Sequence, residues 1–134
     1  MSQSLADEMK NLRIMIVNDD GIDAPGILAL EDMARAISDD IWVIAPRDEC
    51  SGFSRAISIR KTIDVDKRDA RHFAVHGTPT DCSLVGIDQI LADHKPDIVP
   101  SGINAGGNLG EDIGYSGTCG AAFEAQMLGQ PAIA

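Results

Sequence analysis

Residues 14–22 read Ile-Met-Ile-Val-Asn-Asp-Asp-Gly-Ile. The apolar run has the length of a buried strand, and two carboxylates follow where that strand ends. In an open α/β sheet, ligands bind in the crevice beyond the carboxyl ends of the strands. No Lys or Arg lies close in sequence to Asp19 and Asp20, so the pair indicates a bound Mg²⁺, Mn²⁺ or Ca²⁺. The alternative interpretation is a solvated Asp-Asp-Gly turn.

The rest of the chain alternates between strand and helix patterns. This alternation predicts an α/β fold, a Rossmann-like three-layer sandwich with a mostly parallel sheet and a hairpin insertion. Thr78 and Asp81 have the spacing of a capping box. The first long helix is expected to bury Leu30, Met33, Ala34 and Ile37. We predict strands over 13–17, 40–45, 96–99 and 131–134, helices over 24–37, 78–92 and 116–129, and a hairpin from 57–65 and 72–75.

The pattern predicts one domain over residues 13–134. Residues 1–12 are polar and are expected to be a disordered lead-in. The alternation stops at an opening strand, so we expect a domain truncated at its C-terminus. Neither a signal-peptide core nor a stretch of membrane-spanning length occurs in the sequence, which predicts a cytoplasmic protein without a membrane partner.

The charge balance limits the class of partner. Eleven Lys and Arg stand against 21 Asp and Glu, a net charge of −10. Such a surface repels duplex nucleic acid but leaves a small phosphorylated substrate possible, because a cation and backbone amides reverse the potential locally. Cys50, Cys82 and Cys119 form no Cys-x-x-Cys pair, so they are expected to be reduced, and neither a redox motif nor a zinc knuckle is indicated.

Three polar segments follow predicted strands, at 18–21, 51–54 and 101–110. Together they offer two carboxylates, a hydroxyl and an amide oxygen, a set that would hold one hard divalent cation. The glycines of the third segment match neither the dinucleotide fingerprint nor a Walker loop, which disfavours a dinucleotide-dependent oxidoreductase. Those glycines either serve tight turns or form a phosphate-cradling loop.

Residues 115–118 stand at the predicted N-terminus of the last helix. The unpaired amides and the helix dipole there form an anion site. Ordinary capping by Ser116 or Thr118 is compatible with that role. His76 lies at a strand-to-helix junction, where a structural role is expected more often than a catalytic one.

Six ordered blocks, taken together, resemble the SurE survival-protein family of phosphatases over residues 13–134. The resemblance is specific because the blocks occur in order and at compatible spacing. The blocks are Asn18-Asp19-Asp20-Gly21, Ala24-Pro25-Gly26, Ser51-Gly52-x-Ser54, Gly77-Thr78-Pro79-Thr80-Asp81-Cys82, Ser101-Gly102-Ile103-Asn104-Ala105-Gly106 and Tyr115-Ser116-Gly117-Thr118.

The resemblance implies a metal-dependent 5′-nucleotidase that hydrolyses nucleoside 5′- and 3′-monophosphates and, in some members, short polyphosphate. The implied cofactor is one divalent ion, Mg²⁺ or Mn²⁺, on Asp19, Asp20, Ser51 and Asn104. The implied partners are a nucleoside monophosphate and, at full length, further copies of the chain in a dimer or tetramer. Family members have about 250 residues, and Gly107 stands where they usually have a proline.

The predicted mechanism is in-line attack of water on a phosphoryl group polarised by the cation. Asp19 or Asp20 would orient or deprotonate that water. A covalent aspartyl-phosphate is disfavoured because enzymes of that kind use Asp-x-Asp. The alternative function is a non-catalytic nucleotide-binding or assembly module. The predicted phosphate-binding residues are Ser54, Gly107, Asn108, Ser116, Gly117 and Thr118.

Overall fold

The computed structural model describes residues 3–134 of the chain. None of the helices in this range is long and apolar enough to cross a membrane. A π-helical turn over Gly86–Ile90 follows the third helix, and a 3-10 turn over Gly110–Gly114 precedes the fourth. In chain order the elements are α1 (Gln3–Lys10), β1 (Arg13–Ile16), α2 (Pro25–Arg35), β2 (Asp40–Pro46), β3 (Val65–Lys67), β4 (His72–Val75), α3 (Pro79–Val85), β5 (Val99–Pro100), α4 (Gly117–Met127) and β6 (Ala132–Ile133).

A four-stranded sheet and the β5–β6 pair lie side by side, so the strands follow the order β6-β5-β1-β2-β4-β3. β1 pairs in parallel with β2, β2 with β4, and β5 with β6. Parallel bridges from Ile14 to Ile98 and from Val17 to Ser101 join β1 to β5. β3 pairs antiparallel with β4, as the predicted hairpin requires. The sheet is therefore mostly parallel, as the alternating sequence pattern predicts.

Helices cover both faces of this sheet. On one face α2 packs through Ile27 and Ala34 against apolar side chains of β1 and β2. On the other face Ala121 and Ala125 of α4, with Cys82 of α3, pack against the opposite side of the same strands. This three-layer arrangement confirms the predicted Rossmann-like fold class.

The predicted capping box starts α3. The Thr78 hydroxyl accepts a hydrogen bond from the Asp81 N–H at 3.1 Å, and the Asp81 carboxylate accepts one from the Thr78 N–H at 2.9 Å. The α-helical part ends at Val85, earlier than the predicted Ala92. Gly86 then lies against the sheet, where a Cβ would be 2.6 Å from the Met15 sulfur, and the chain widens into the π-helical turn.

The prediction of a disordered lead-in is wrong for residues 3–10, which form α1. The end of this helix is anchored, because the Lys10 carbonyl accepts hydrogen bonds from the Asp39 N–H at 3.2 Å and the Ser38 hydroxyl at 3.1 Å. These long-range contacts have no signature in the local composition. Residues 1 and 2 of the predicted lead-in lie outside the described residues.

Two further predictions need correction. The strand expected over 57–65 begins only at Val65, since Arg60 has φ +54° and the Ser58 N–H donates to the Asp81 carboxylate instead of to a strand. The buried face of α2 consists of Ile27, Glu31 and Ala34, whereas the expected Met33 and Ile37 are exposed. Glu31 takes a buried position because its carboxylate pairs with Arg35 and with His72 of β4.

Candidate functional site

The site lies where the strand order reverses. The chain moves outward from β1 through β2 and β4, then returns to place β5 on the other side of β1. The Val17 N–H donates to the Pro100 carbonyl at 3.2 Å, and the Gly102 N–H donates to the Val17 carbonyl at 2.8 Å. The loops after β1 and β5 consequently leave the sheet side by side, which is the usual ligand position in this class of fold.

The loop after β1 is stabilised by a hydrogen bond between two of its own residues. Asn18 is fully buried, and its side-chain amide donates to the Gly21 carbonyl at 2.7 Å. Gly21 has φ +103°, a conformation that L-residues with a Cβ rarely adopt. The Oδ1 atom of Asn18 is buried without a hydrogen-bond partner among the described residues. This closed loop presents Asp19 and Asp20 at the carboxyl end of β1.

Asp19 is joined to the loop after β5 by one hydroxyl group. Asp19 is only 3% exposed, and its Oδ1 accepts a hydrogen bond from the Thr118 hydroxyl at 2.7 Å. The same hydroxyl lies 3.4 Å from Oδ1 of Asn104. Thr118 thus contacts two of the predicted metal ligands. The shorter distance assigns its single hydroxyl proton to the hydrogen bond with Asp19.

Asp20 contacts the β5 loop directly. Its Oδ2 accepts a hydrogen bond from the Ala105 N–H at 2.9 Å. Burial is the main cause that raises the pKa of Asp20; the hydrogen bond from Ala105 opposes it, and the charges of Asp19 and Glu49 add to it. Within residues 3–134 no Lys, Arg or His forms an ion pair with Asp19 or Asp20. The negative charge of the pair is therefore uncompensated by the protein.

The loop after β2 brings a hydroxyl group to the same place. The Cys50 N–H donates to the Asp19 carbonyl at 2.7 Å, and the exposed Ser51 follows directly. The Ser51 N–H donates to the Glu49 carboxylate at 3.1 Å, and hydrogen bonds from the Ser51 hydroxyl and N–H lower the pKa of Glu49. Ser51 and Asp19 line one cavity of about 240 Å³, whose other lining residues are Gly52, Asn104, Asn108, Asp112, Tyr115 and Ser116.

The N-terminus of α4 forms one wall of this cavity. The Ser116 hydroxyl caps the helix by accepting from the Cys119 N–H at 3.1 Å. The N–H groups of Gly117 and Thr118 have no acceptor in the described part of the chain. A Cβ on Gly117 would lie 2.8 Å from the Asp19 Cβ, so glycine is needed for this close approach. Free amides at a helix N-terminus favour an anion here.

Of the six predicted phosphate-binding residues, Asn108 and Ser116 line this cavity, whereas Ser54, Gly107, Gly117 and Thr118 do not. The Ser54 hydroxyl donates to the Gly114 carbonyl at 2.6 Å, and its N–H donates to the Tyr115 carbonyl at 3.2 Å. Ser54 therefore ties the β2 loop to the turn before α4. Gly107 is exposed, and a Cβ added to it would have no neighbouring atom within 4 Å. His76 also lies elsewhere, with its Nε2 2.7 Å from the Asp66 carboxylate.

Sequence reasoning assigned no positioning role to two glycines, of which Gly26 belongs to one of the quoted family motifs and Gly120 to none. A Cβ on Gly26 would lie 1.9 Å from the Ile103 carbonyl oxygen, and one on Gly120 would lie 2.1 Å from the Ser54 carbonyl oxygen. Gly26 therefore seats the Asn104 loop against α2, and Gly120 seats the Ser51 loop against α4. Both glycines lie in the first turn of a predicted helix, where alanine would favour the helix more. A glycine at such a position can indicate a close backbone contact.

The donor set fits a hard divalent cation. Carboxylate, hydroxyl and amide oxygens are the groups that Mg²⁺ and Mn²⁺ prefer, and the carboxylate charge lacks a protein partner. In the described range no three His, Cys, Asp or Glu side chains are grouped to hold a metal. A cation here would therefore depend on the two aspartates together with neutral oxygen ligands.

Comparison with known proteins gives a consistent result. The family model described as "Survival protein SurE" matches residues 14–134. The 5′-nucleotidase SurE of Paramagnetospirillum magneticum is 55% identical over 124 residues, which are 92% of this chain and 48% of that protein. The 5′-nucleotidase SurE of Parvibaculum lavamentivorans is 50% identical over 93% of this chain and 45% of its own length.

A solved structure agrees with these relatives. The crystal structure of the SurE protein from Aquifex aeolicus superposes with a TM-score of 0.86 at 42% sequence identity. The match covers 91% of this chain and 49% of the Aquifex chain. The chain thus spans about half the length of the curated relatives that it matches.

Proposed function

Because the chain belongs to the SurE family, we propose that it carries the metal- and phosphate-binding site of a nucleotide phosphomonoesterase. The proposed reaction is hydrolysis of nucleoside 5′-monophosphates to nucleoside and inorganic phosphate. The names of its relatives support this substrate class. The observation that carries the proposal is the uncompensated Asp19–Asp20 pair beside the free amides of α4.

The proposed ligands of one Mg²⁺ or Mn²⁺ are the side chains of Asp19, Asp20, Ser51 and Asn104. A cation bound there would neutralise charge on the phosphoryl oxygens and help to activate water. Thr118 would orient two of these ligands, because its hydroxyl donates to Asp19 and lies beside Asn104. Replacing a residue that orients a metal ligand typically lowers metal affinity or activity about 10- to 100-fold.

The phosphate would be held at the start of α4. The amides of Gly117 and Thr118 and the side chain of Asn108 are the proposed donors to its oxygens. The two amides are fixed before substrate arrives, since the Ser116 cap and the close approach of Gly117 to Asp19 hold the first helical turn in place. Prearranged donors favour the charge that develops on the phosphoryl group during transfer.

The proposed chemical step is direct attack by water. The water oxygen would bond to phosphorus as the bond from phosphorus to the ribose oxygen breaks, a carboxylate of the Asp19–Asp20 pair would orient the water, and the proton released by the water would end on the ribose hydroxyl. The burial of Asp19 and its hydrogen bond from Thr118 favour this step over attack by the Asp19 carboxylate itself. We include 3′-monophosphates and short polyphosphate as further substrates, because the proposed donors would contact the phosphate group, which all of these compounds carry.

The test is phosphate release from AMP in Mn²⁺, compared with excess EDTA and with the variant Asp19→Asn. We expect release in Mn²⁺, none in EDTA, and a loss of more than about a hundredfold in the variant, since even residues that only orient a ligand contribute about 10- to 100-fold. 3′-AMP and tripolyphosphate complete the substrate panel.

Asp23→Asn is the matched control. Asp23 follows the same loop, is exposed and pairs with Arg68, so its replacement should leave phosphate release nearly unchanged. Release that persists in EDTA would contradict metal dependence. A folded chain that binds AMP but never releases phosphate would instead support the nucleotide-binding or assembly module.

A further inference from the structure

The few aromatic residues of this chain are distributed unevenly. The sequence contains one Trp, one Tyr and three Phe. Trp42 and Phe73 stack with their ring centroids 6.2 Å apart and pack with the core on the α3–α4 face of the sheet. Phe123 is on α4, and the guanidinium carbon of Arg55 lies 5.9 Å from the centroid of its ring. Phe53 and Phe123 are 49% and 52% exposed but do not line the candidate phosphate cavity, whereas Tyr115 is 70% exposed and lines it.

The backbone of Tyr115 is fixed on both sides. Its N–H donates to the Asp112 carbonyl at 3.0 Å, and its carbonyl accepts from the Ser54 N–H at 3.2 Å. The next residue is Ser116, the cap of α4. The ring is thus attached at a defined point, one residue away from the helix amides that we propose to bind phosphate.

Folding gives no evident reason for an aromatic residue at this position. The Tyr115 hydroxyl has no hydrogen-bond partner within the described range, and its side chain belongs to neither core cluster. An exposed tyrosine at a cavity wall offers a ligand a broad, rigid contact surface at low cost in conformational entropy.

We propose that Tyr115 is a specificity-determining residue that stacks on the nucleobase of the substrate. The inference rests on the proposed function and extends it to the part of the substrate that does not react. A nucleobase is separated from its 5′-phosphate by a single ribose, and Tyr115 is adjacent in sequence to the proposed phosphate site. Stacking is tolerant of base identity because every base presents a π-face.

Stacking predicts an order among substrates. Purines present a larger ring surface than pyrimidines, so AMP and GMP should have lower KM values than CMP and UMP. Ribose 5-phosphate, which keeps the phosphate and lacks the base, should have the highest KM. The difference between AMP and ribose 5-phosphate then measures the contribution of the base alone.

The experiment compares Tyr115→Ala and Tyr115→Phe on AMP and ribose 5-phosphate in Mn²⁺. We expect Tyr115→Ala to raise KM for AMP on the order of tenfold, with kcat changed less than about twofold. KM for ribose 5-phosphate should not change, and Tyr115→Phe should restore the AMP value. Leu109→Ala is the matched control, since Leu109 is exposed in the same segment and does not line the cavity.

A second readout separates this inference from the proposed reaction. Calorimetric titration of AMP and ribose 5-phosphate in EDTA measures binding without metal-dependent turnover. Tighter binding of AMP that depends on Tyr115, without phosphate release in Mn²⁺, would support stacking and contradict the phosphatase. Equal affinity of the wild-type chain for both ligands, or an equal loss for both in Tyr115→Ala, would overturn the stacking inference.

Discussion

At the scale of single residues, the position of one hydroxyl group changes the interpretation of the site. The sequence places Thr118 at a helix N-terminus, where phosphate binding and capping are both reasonable. In the structure Ser116 is the cap, and the Thr118 hydroxyl donates to Asp19. We therefore interpret the Thr118 side chain as a positioning group, while its backbone N–H remains available for an anion.

This interpretation predicts different effects for two replacements of Thr118. Thr118→Val keeps the shape but leaves the buried Asp19 carboxylate without its donor, so we expect a loss of about 10- to 100-fold in kcat/KM for AMP. Thr118→Ser keeps the hydroxyl and should retain most activity. The Mn²⁺ concentration needed for half-maximal rate should rise only in the valine variant. Equal activity of the two variants would argue against positioning.

At the scale of elements, close backbone contacts hold the site loops against helices. The Asn104 loop rests on α2, where the Ile103 N–H donates to the Gly26 carbonyl at 3.2 Å. The Ser51 loop rests on α4 at Gly120. Since these contacts involve backbone atoms, a side-chain rotation cannot relieve a clash introduced there. The loops and the helices should behave as one unit.

Gly26→Ala tests this coupling. Helix propensity alone would make alanine stabilising by about 1 kcal/mol. The Cβ would lie 1.9 Å from the Ile103 carbonyl oxygen, and such overpacking costs about 1–3 kcal/mol, so we expect net destabilisation and weaker Mn²⁺-dependent activity. Urea unfolding measures the first effect. Gly106→Ala, with open space around the added Cβ, should change the unfolding free energy far less.

At the scale of the whole molecule, a charged cluster joins three strands at the end of the sheet opposite the site. Asp40 begins β2 and accepts hydrogen bonds from Arg13 of β1 at 2.7 Å and from the Trp42 indole at 2.8 Å. Arg71, beside β4, also pairs with Asp40. Burial tends to raise the pKa of Asp40, but the hydrogen bonds from these three donors outweigh it and leave the pKa below its usual value of 3.8.

The sign of this shift predicts acid sensitivity. A carboxylate whose folded-state pKa is lowered stabilises the fold fully above its unfolded pKa, and that stability is lost as pH falls through the folded pKa. We expect Asp40→Asn to lower the unfolding free energy by about 1–3 kcal/mol at pH 7. Its stability should then depend less on pH below about 4 than that of the wild type.

Urea titrations between pH 3 and pH 7 measure this difference. Asp93→Asn is the control, because Asp93 is exposed and makes no ion pair with a described residue. Parallel pH profiles for wild type and Asp40→Asn would show that Asp40 does not contribute to the acid transition.

Much of the architecture followed from the sequence because it rests on local signals. The apolar run before Asp19, the Thr78–Asp81 capping box and the alternation of strand and helix patterns each predict an element without distant contacts. The loops after parallel strands were expected at one edge of the sheet for the same reason. Family motifs then identified the chemistry to be expected at that edge.

The remaining features depended on contacts between distant residues. Helix α1 is anchored by Ser38 and Asp39, Ser58 bonds to Asp81 of α3 instead of joining a strand, and Glu31 is buried through His72. The hydroxyl link from Thr118 to Asp19 spans 99 positions of the chain. Local sequence determined the elements and the candidate ligands, whereas only tertiary packing decided which donor meets which acceptor, because hydrogen bonds between distant segments form only after the sheet has brought them together.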